Sequence, residues 1–356
     1  MTASKHAYVG SRTTRERQAR GEGISVYAVD EETGALDRVQ LVGGLANPSF
    51  LALDAPKRRL YAVHGDGNEV SVFAVSPVDG TLEFMQRQVC GGRNPVHLAL
   101  DPTGRWLLVS DHLGTDGGGS LLVMPVHDDG RLGPVSQRVA MAGEPGPHRR
   151  EQPFAKPHFN PFDPSGRYVA VPDKGLDRVF VFRFDGGTLA PAAPPGVGTR
   201  AGAGPRHIAF HPSAPFAYVA NELDSTVTAY RFHRDSGALA PLQILPTLDD
   251  TFTGNNTASE IEISKDGRSL YVSNRGADSI ALFDVDAATG RLRFRETTPS
   301  RGRTPRFFAL GLDGRCMFVL NEDSDTIEVF PVDRSTGRLG QATQSIRCGS
   351  PVCLVM

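Results

Sequence analysis

Two short stretches concentrate groups able to hold an anion and move a proton: Pro205-Arg206-His207 and Asn221-Glu222. Two more stand elsewhere in the chain, His158 in Lys156-Pro157-His158-Phe159 and Arg275 in Ser273-Asn274-Arg275-Gly276. A guanidinium binds carboxylate or phosphate through a planar fork of donors, so the arginines point to an anionic ligand. Histidine titrates near neutrality and a partly buried Glu can be shifted toward it, which makes His158 and Glu222 the candidate proton carriers. This chemistry requires the four residues to converge, and the elements that carry them must be able to bring them together.

Those elements are copies of one unit. Gly-x-Leu recurs seven times, at Gly34, Gly80, Gly130, Gly187, Gly237, Gly290 and Gly337, with spacings of 46 to 57 residues. Each unit opens on a Pro (Pro48, Pro95, Pro157, Pro205, Pro305, Pro351, with Ala258 in the remaining copy) followed by an apolar run. A second apolar run such as Leu60-Tyr61-Ala62-Val63 or Tyr168-Val169-Ala170-Val171 follows an Asp/Gly turn, and two more runs complete the unit. Short runs rich in Val, Tyr, Phe and Thr between turn residues are strands. Four strands per unit, seven times over, predict an all-β chain folded as a seven-bladed β-propeller. The chain starts on a second-strand sequence, Ala7-Tyr8-Val9, and ends on a first-strand sequence, Pro351-Val352-Cys353-Leu354-Val355. The last strand is therefore expected to join the N-terminal blade and close the ring, leaving no open edge. The expectation is one domain over residues 1–356, with only a short surface turn of helix between Thr13 and Arg20.

In such a blade the first strand lies nearest the axis, so the start of the first strand and the end of the second emerge together at the channel mouth. The residue after each Pro reads Ser49, Val96, His158, Arg206, Ser259, Arg306 and Val352, and the next reads Phe50, His97, Phe159, His207, Glu260, Phe307 and Cys353. The end of the second strand reads Arg12, Asp66, His112, Lys174, Glu222, Arg275 and Glu322. Positions serving the repeat alone should be alike in every copy, and these are not. His158, Arg206, Glu222 and Arg275 are assigned catalysis; Arg306, His207, His97, Lys174 and Glu260 are assigned substrate binding. Asn221, Asn274 and Asn321 occupy equivalent places and are expected to cap loop backbone. His127, His211 and His233 fall in outer turns and are expected at the surface.

Composition narrows the partners. A formal net charge of -2, from 38 basic and 40 acidic residues, gives no basis for nucleic-acid binding, and no stretch is long and apolar enough for a membrane span. The N-terminus MTASKHAYVG lacks the apolar core of a secretory signal, and Cys90, Cys316, Cys348 and Cys353 show no metal-site or CxxC spacing. Free buried thiols in the cytoplasm are the expectation. No cofactor is expected, and a divalent cation held by Asn and Glu oxygens would need a tighter acidic set than these registers supply. The repeat is most disturbed at 111–119, rich in Gly, and at 143–156 (GEPGPHRREQPFAK), a charged, Pro-containing insertion.

Taken together, GPRHIAFHP, YVANELDSTVTAY, LYVSNRGADSIALFDVD and the terminal PVCLVM resemble the seven-bladed lactonase family, along essentially the whole chain. That family includes 6-phosphogluconolactonases and 3-carboxy-cis,cis-muconate lactonizing enzymes. The resemblance implies a His, two Arg and a Glu in the site, which fall on His158, Arg206, Glu222 and Arg275. Many relatives carry His-Pro-His where this chain has Lys156-Pro157-His158, and the family's Arg-Gln loop is present in altered form as His148-Arg149-Arg150-Glu151-Gln152. The implied activity is metal-independent hydrolysis of an anionic sugar lactone, bearing phosphate or carboxylate. The alternatives are a muconate-type lactonizing cycloisomerase and a non-catalytic propeller that binds an anion or acts as a scaffold.

Overall fold

The computed structural model describes residues 5–56, 58–114 and 117–356. Positions 115 and 116 of the Gly-rich stretch lie outside the described residues. Seven antiparallel sheets stand around a central axis, and the inner strands of adjacent four-stranded sheets contact one another. The ring closes as the repeat predicted: Pro351–Val355 pairs with Lys5–Ser11, which continues into Gly23–Val29 and Leu36–Gly43. All seven glycines of the Gly-x-Leu signature have φ between 68° and 88°, a left-handed turn that a side chain would strain. The expected helical turn is a single 3-10 turn at Arg15–Arg17.

Blade faces bury against one another, so the core is not one mass but seven seams. Val9, Phe318 and Leu354 belong to the seam between the last blade and the first; Tyr218, Val272 and Phe283 belong to another. Strands buried on both faces read as unbroken apolar runs, which is why Leu60 to Val63 are all fully buried. A polar device on the outer strands locks neighbouring blades together. Gln40 donates to the carbonyl of Leu82 and accepts from its N–H, with bonds of 2.9 and 2.7 Å. The same reciprocal pair joins Gln86 to Leu132, Gln137 to Leu189, Gln243 to Leu292 and, across the closure, Gln344 to Leu36. Each partner Leu is the one in Gly-x-Leu, so the signature serves the seam as well as the turn.

The fourth blade departs from the expected four strands. Its sheet has three, and residues 157–162 join it only through the isolated bridges Pro157–Asp173 and Phe162–Val169. Pro157, Pro161 and Pro172 have no N–H to give, so a continuous ladder cannot form there. Asn160 compensates from full burial: its Oδ1 lies 2.7 Å from His97 Nδ1 and 2.8 Å from Ser110 Oγ, and its Nδ2 donates to the Leu108 carbonyl. The Asn274 and Asn321 amides donate to the Thr247 and Ser300 carbonyls, the backbone caps expected of them, while Asn221 donates to the hydroxyls of Thr226 and Thr228. His127 and His233 are exposed, but His211 is buried, its Nδ1 accepting the N–H groups of Ser213 and Ala214 to shape its turn. All four cysteines are buried free thiols.

Candidate active site

A β-bulge at the start of the inner strands aims side chains into the hub. Strand register slips between Pro48 and Phe50, Pro95 and His97, Pro205 and His207, and Pro305 and Phe307. The extra residue in each case, Ser49, Val96, Arg206 or Arg306, is released from the ladder and lines a cavity of about 430 Å³ at the channel mouth. Of the residues after them, Phe50, His207 and Phe307 form its floor, and His97 packs beneath. Phe50, His97, Phe159 and His207 pack in series with ring centroids 4.4, 4.0 and 4.1 Å apart, and Phe307 lies 5.9 Å from Phe50. The channel is thus plugged, and what remains is a well of small-molecule size.

Carboxylates pin the cations of the well. Glu222 accepts from Lys174 Nζ at 3.0 Å through Oε1, and its Oε2 lies 3.0 Å from Arg206 Nε and 3.2 Å from Arg275 Nη2. Lys174 also donates to Glu151 Oε2 at 2.9 Å, a residue of the 143–156 insertion. On the other side of the well Glu322 lies 3.0 Å from Arg12 Nε and 3.7 Å from Arg306 Nη1. Among the described residues, seven cationic side chains but only three carboxylates line the cavity. Burial first, then Arg275 and Arg306, pull Arg206 down to about 9, and the Arg306 charge is the main reason that Arg12 falls to about 9. Guanidinium groups crowded in this way gain when an anion enters.

The titratable groups separate by environment. Burial alone would raise the Glu222 carboxyl, but Lys174, Arg275 and Arg206 hold it well below the usual carboxylate range. The expectation that burial shifts Glu222 toward neutrality is therefore overturned, because three cations outweigh desolvation. His158 is held neutral by burial and by the charges of Arg206 and Lys174; its Nδ1 is buried and has no hydrogen-bond partner among the described residues. Arg206 donates to His207 Nε2 at 3.0 Å, so the proton of that ring sits on Nδ1 and is donated to Glu260 Oε1 at 2.8 Å. Glu260 also accepts the Ile261 N–H, and its Oε2 is buried without a partner among the described residues.

Burial pushes Glu260 up from its ordinary 4.5 to about 7 despite the opposing charge of Arg206. A carboxyl raised on folding contributes stability that is complete below its unfolded value and is lost as pH rises through its folded value. Glu260→Gln is therefore expected to match the wild type at pH 4 and to exceed it at pH 8, by roughly 3 kcal/mol. Denaturant unfolding at both pH values reads this directly. Equal stability at pH 8 would mean that the His207 N–H already compensates the carboxylate.

Seven of the nine residues singled out from the sequence line the well: His158, Arg206, Glu222, Arg275, Arg306, His207 and Lys174. His97 and Glu260 do not; both are buried below its surface, His97 against Asn160 and Glu260 against His207, so neither is placed to touch a ligand. All seven residues at the ends of the second strands line it, including Arg12, Asp66, His112 and Glu322, which occupied the informative register without being selected. Arg17 comes from the 3-10 turn, pairs with Asp66 through a 2.7 Å bond from its Nε, and left no signal in the repeat. Phe154 and Lys156 bring the 143–156 insertion to the rim, and buried Gln152 anchors it by donating to the Lys174 carbonyl and to Asp177 Oδ1.

A seven-bladed propeller with a plugged, cationic hub is built to receive a small anion. The chain belongs to the family described as Lactonase, 7-bladed beta-propeller, which it matches over residues 6–356. It is 34% identical over 307 residues to a 6-phosphogluconolactonase of Bacillus subtilis, covering 85% of this chain and 83% of that one. A 6-phosphogluconolactonase of Formosa agariphila is 30% identical over 316 residues, 85% of each chain. Among solved structures, the periplasmic gluconolactonase of Pseudomonas aeruginosa superposes with a TM-score of 0.90 at 32% identity, over 98% of both chains.

Proposed function

We propose that the well hydrolyses an anionic sugar lactone of the 6-phosphogluconolactone type. The observation that carries the mechanism is the placement of neutral His158 in one well with Arg206 and Arg275, both held by an ionised Glu222. The lactone carbonyl faces Arg206 and Arg275, whose donors stabilise the oxyanion as water adds. His158 takes the proton of that water. Collapse of the tetrahedral intermediate breaks the ring C–O bond, and the imidazolium returns its proton to the departing alkoxide. A bound anion raises the proton affinity of His158 through its charge, which offsets the cations that depress it in the empty well. Glu222 carries no proton in this scheme; its charge sets the direction of three cations.

Membership of a lactonase family and two relatives named as 6-phosphogluconolactonases support hydrolysis, while the comparisons do not favour the cycloisomerase or the non-catalytic reading. Among the described residues no helix is long and apolar enough to cross a membrane. The cytoplasmic location we propose rests on the four unpaired thiols. The test is alkali titration of 6-phosphogluconolactone opening. The protein is expected to release acid faster than spontaneous hydrolysis and to give no ultraviolet change with carboxymuconate. The opposite pair of results would replace the hydrolase with the cycloisomerase.

A further inference from the structure

The well contains the same constellation twice. In the fifth blade Pro205-Arg206 opens the inner strand, Asn221-Glu222 ends the second, and Arg275 ends the second strand of the next blade. In the seventh blade Pro305-Arg306 opens the inner strand, Asn321-Glu322 ends the second, and Arg12 follows the second strand of the next blade round the closed ring. Each is a carboxylate between two guanidinium groups, and both line one cavity. The repeat supplies identical backbone positions, so the two triads face the axis in the same way, two blades apart.

Their surroundings differ in a way that divides the labour. The Arg206–Glu222–Arg275 triad is the deeper, with side chains 3%, 10% and 12% exposed; it has Lys174 on its carboxylate, and Arg206 donates to His207, whose ring centroid lies 5.1 Å from that of His158. The Arg12–Glu322–Arg306 triad is more open, at 15%, 16% and 20%, and Arg306 is only loosely engaged at 3.7 Å from Glu322. Oxyanion stabilisation gains most where water is excluded, whereas a heavily hydrated phosphate dianion is met by guanidinium forks at the more open side of the well.

We propose that the Arg12–Glu322–Arg306 triad is the subsite for the non-reacting anion of the substrate, its phosphate, and that the deeper triad is reserved for the lactone carbonyl. The substrate class is then a lactone with a second anionic group remote from the ring carbonyl. This rests on the lactonase reading above and adds which end of the substrate lies where.

The experiment compares kcat/KM for 6-phosphoglucono-δ-lactone and for unphosphorylated glucono-δ-lactone. Arg306→Ala, and independently Arg12→Lys, which keeps the charge but loses the fork, are each expected to lower the preference for the phosphorylated substrate by about tenfold or more. Arg206→Ala is expected to depress both substrates together, with the preference changed by less than about threefold. An equal loss on both substrates in the Arg306 and Arg12 variants overturns the assignment. A melting curve shows whether each variant folds, and Arg12→Lys decides the matter if Arg306→Ala does not. Should the wild type open neither lactone, the lactonase reading falls separately. Calorimetry with 6-phosphogluconate and gluconate then reads the subsite: about tenfold weaker binding of the phosphate alone in Arg306→Ala upholds it, and unchanged affinity overturns it.

Discussion

Glu222→Ala is expected to lose about 3–5 kcal/mol of stability together with its activity. Glu222 is buried and is the common partner of Lys174, Arg206 and Arg275, at 3.0 to 3.2 Å. Removing one partner of a buried ion pair costs far more than the pair contributes, because the charges left behind remain out of water without compensation. Here Arg206 and Arg275 would be left so, on side chains no more than 12% exposed, while Lys174 would keep Glu151. Urea unfolding measures the loss. Added phosphate, binding the uncompensated cations, should raise the melting temperature of the variant more than that of the wild type. A variant as stable as the parent, with no extra response to phosphate, would show that the cations are hydrated and that Glu222 does not organise them.

His158→Gln is expected to reduce kcat by about a hundredfold to ten-thousandfold while KM changes by less than about threefold. The substitution keeps a polar side chain of similar reach, so folding should be retained and the loss should lie in proton transfer. The sign of the pH dependence follows from the environment of His158. Burial and the neighbouring cations hold its proton affinity well below the ordinary 6.5, so the neutral ring persists through neutrality. After subtraction of spontaneous hydrolysis, wild-type kcat/KM should be flat across neutral pH and fall only on the acid side. A fall centred above neutrality, or a variant with undiminished kcat, would remove His158 from the role of base.

The cluster was legible in the chain because a repeat makes exceptions visible. Arg206 stands where other copies have Ser49, Val96 or Val352, and Glu222 stands where they have Arg12, Lys174 or Arg275. Equivalent positions in a closed ring must point to the same place, so comparing copies located the site without any knowledge of side-chain geometry. That argument does not separate what lies in the well from what lies beneath it, which is why His97 and Glu260 were grouped with the ligand-facing residues. The bulge after Pro turns one residue to the rim and the next toward the hub, and ring packing then decides which of the second set still touches the cavity. Arg17 and the insertion 143–156 could not be placed from the repeat at all, since they are absent from it.

Order along the chain was sufficient for the seven blades, the closure by Pro351–Val355 and the neighbourhood of His158, Arg206, Glu222 and Arg275, because strand period and turn chemistry are local properties repeated seven times. Tertiary structure alone decided the protonation pattern. The Glu222 carboxyl falls and the Glu260 carboxyl rises although both are buried glutamates, since three cations contact the first, while at the second, hydrogen-bonded to a neutral imidazole, burial outweighs the Arg206 charge. Electrostatic energy depends on distances between groups far apart in sequence, and those distances exist only once the ring has closed.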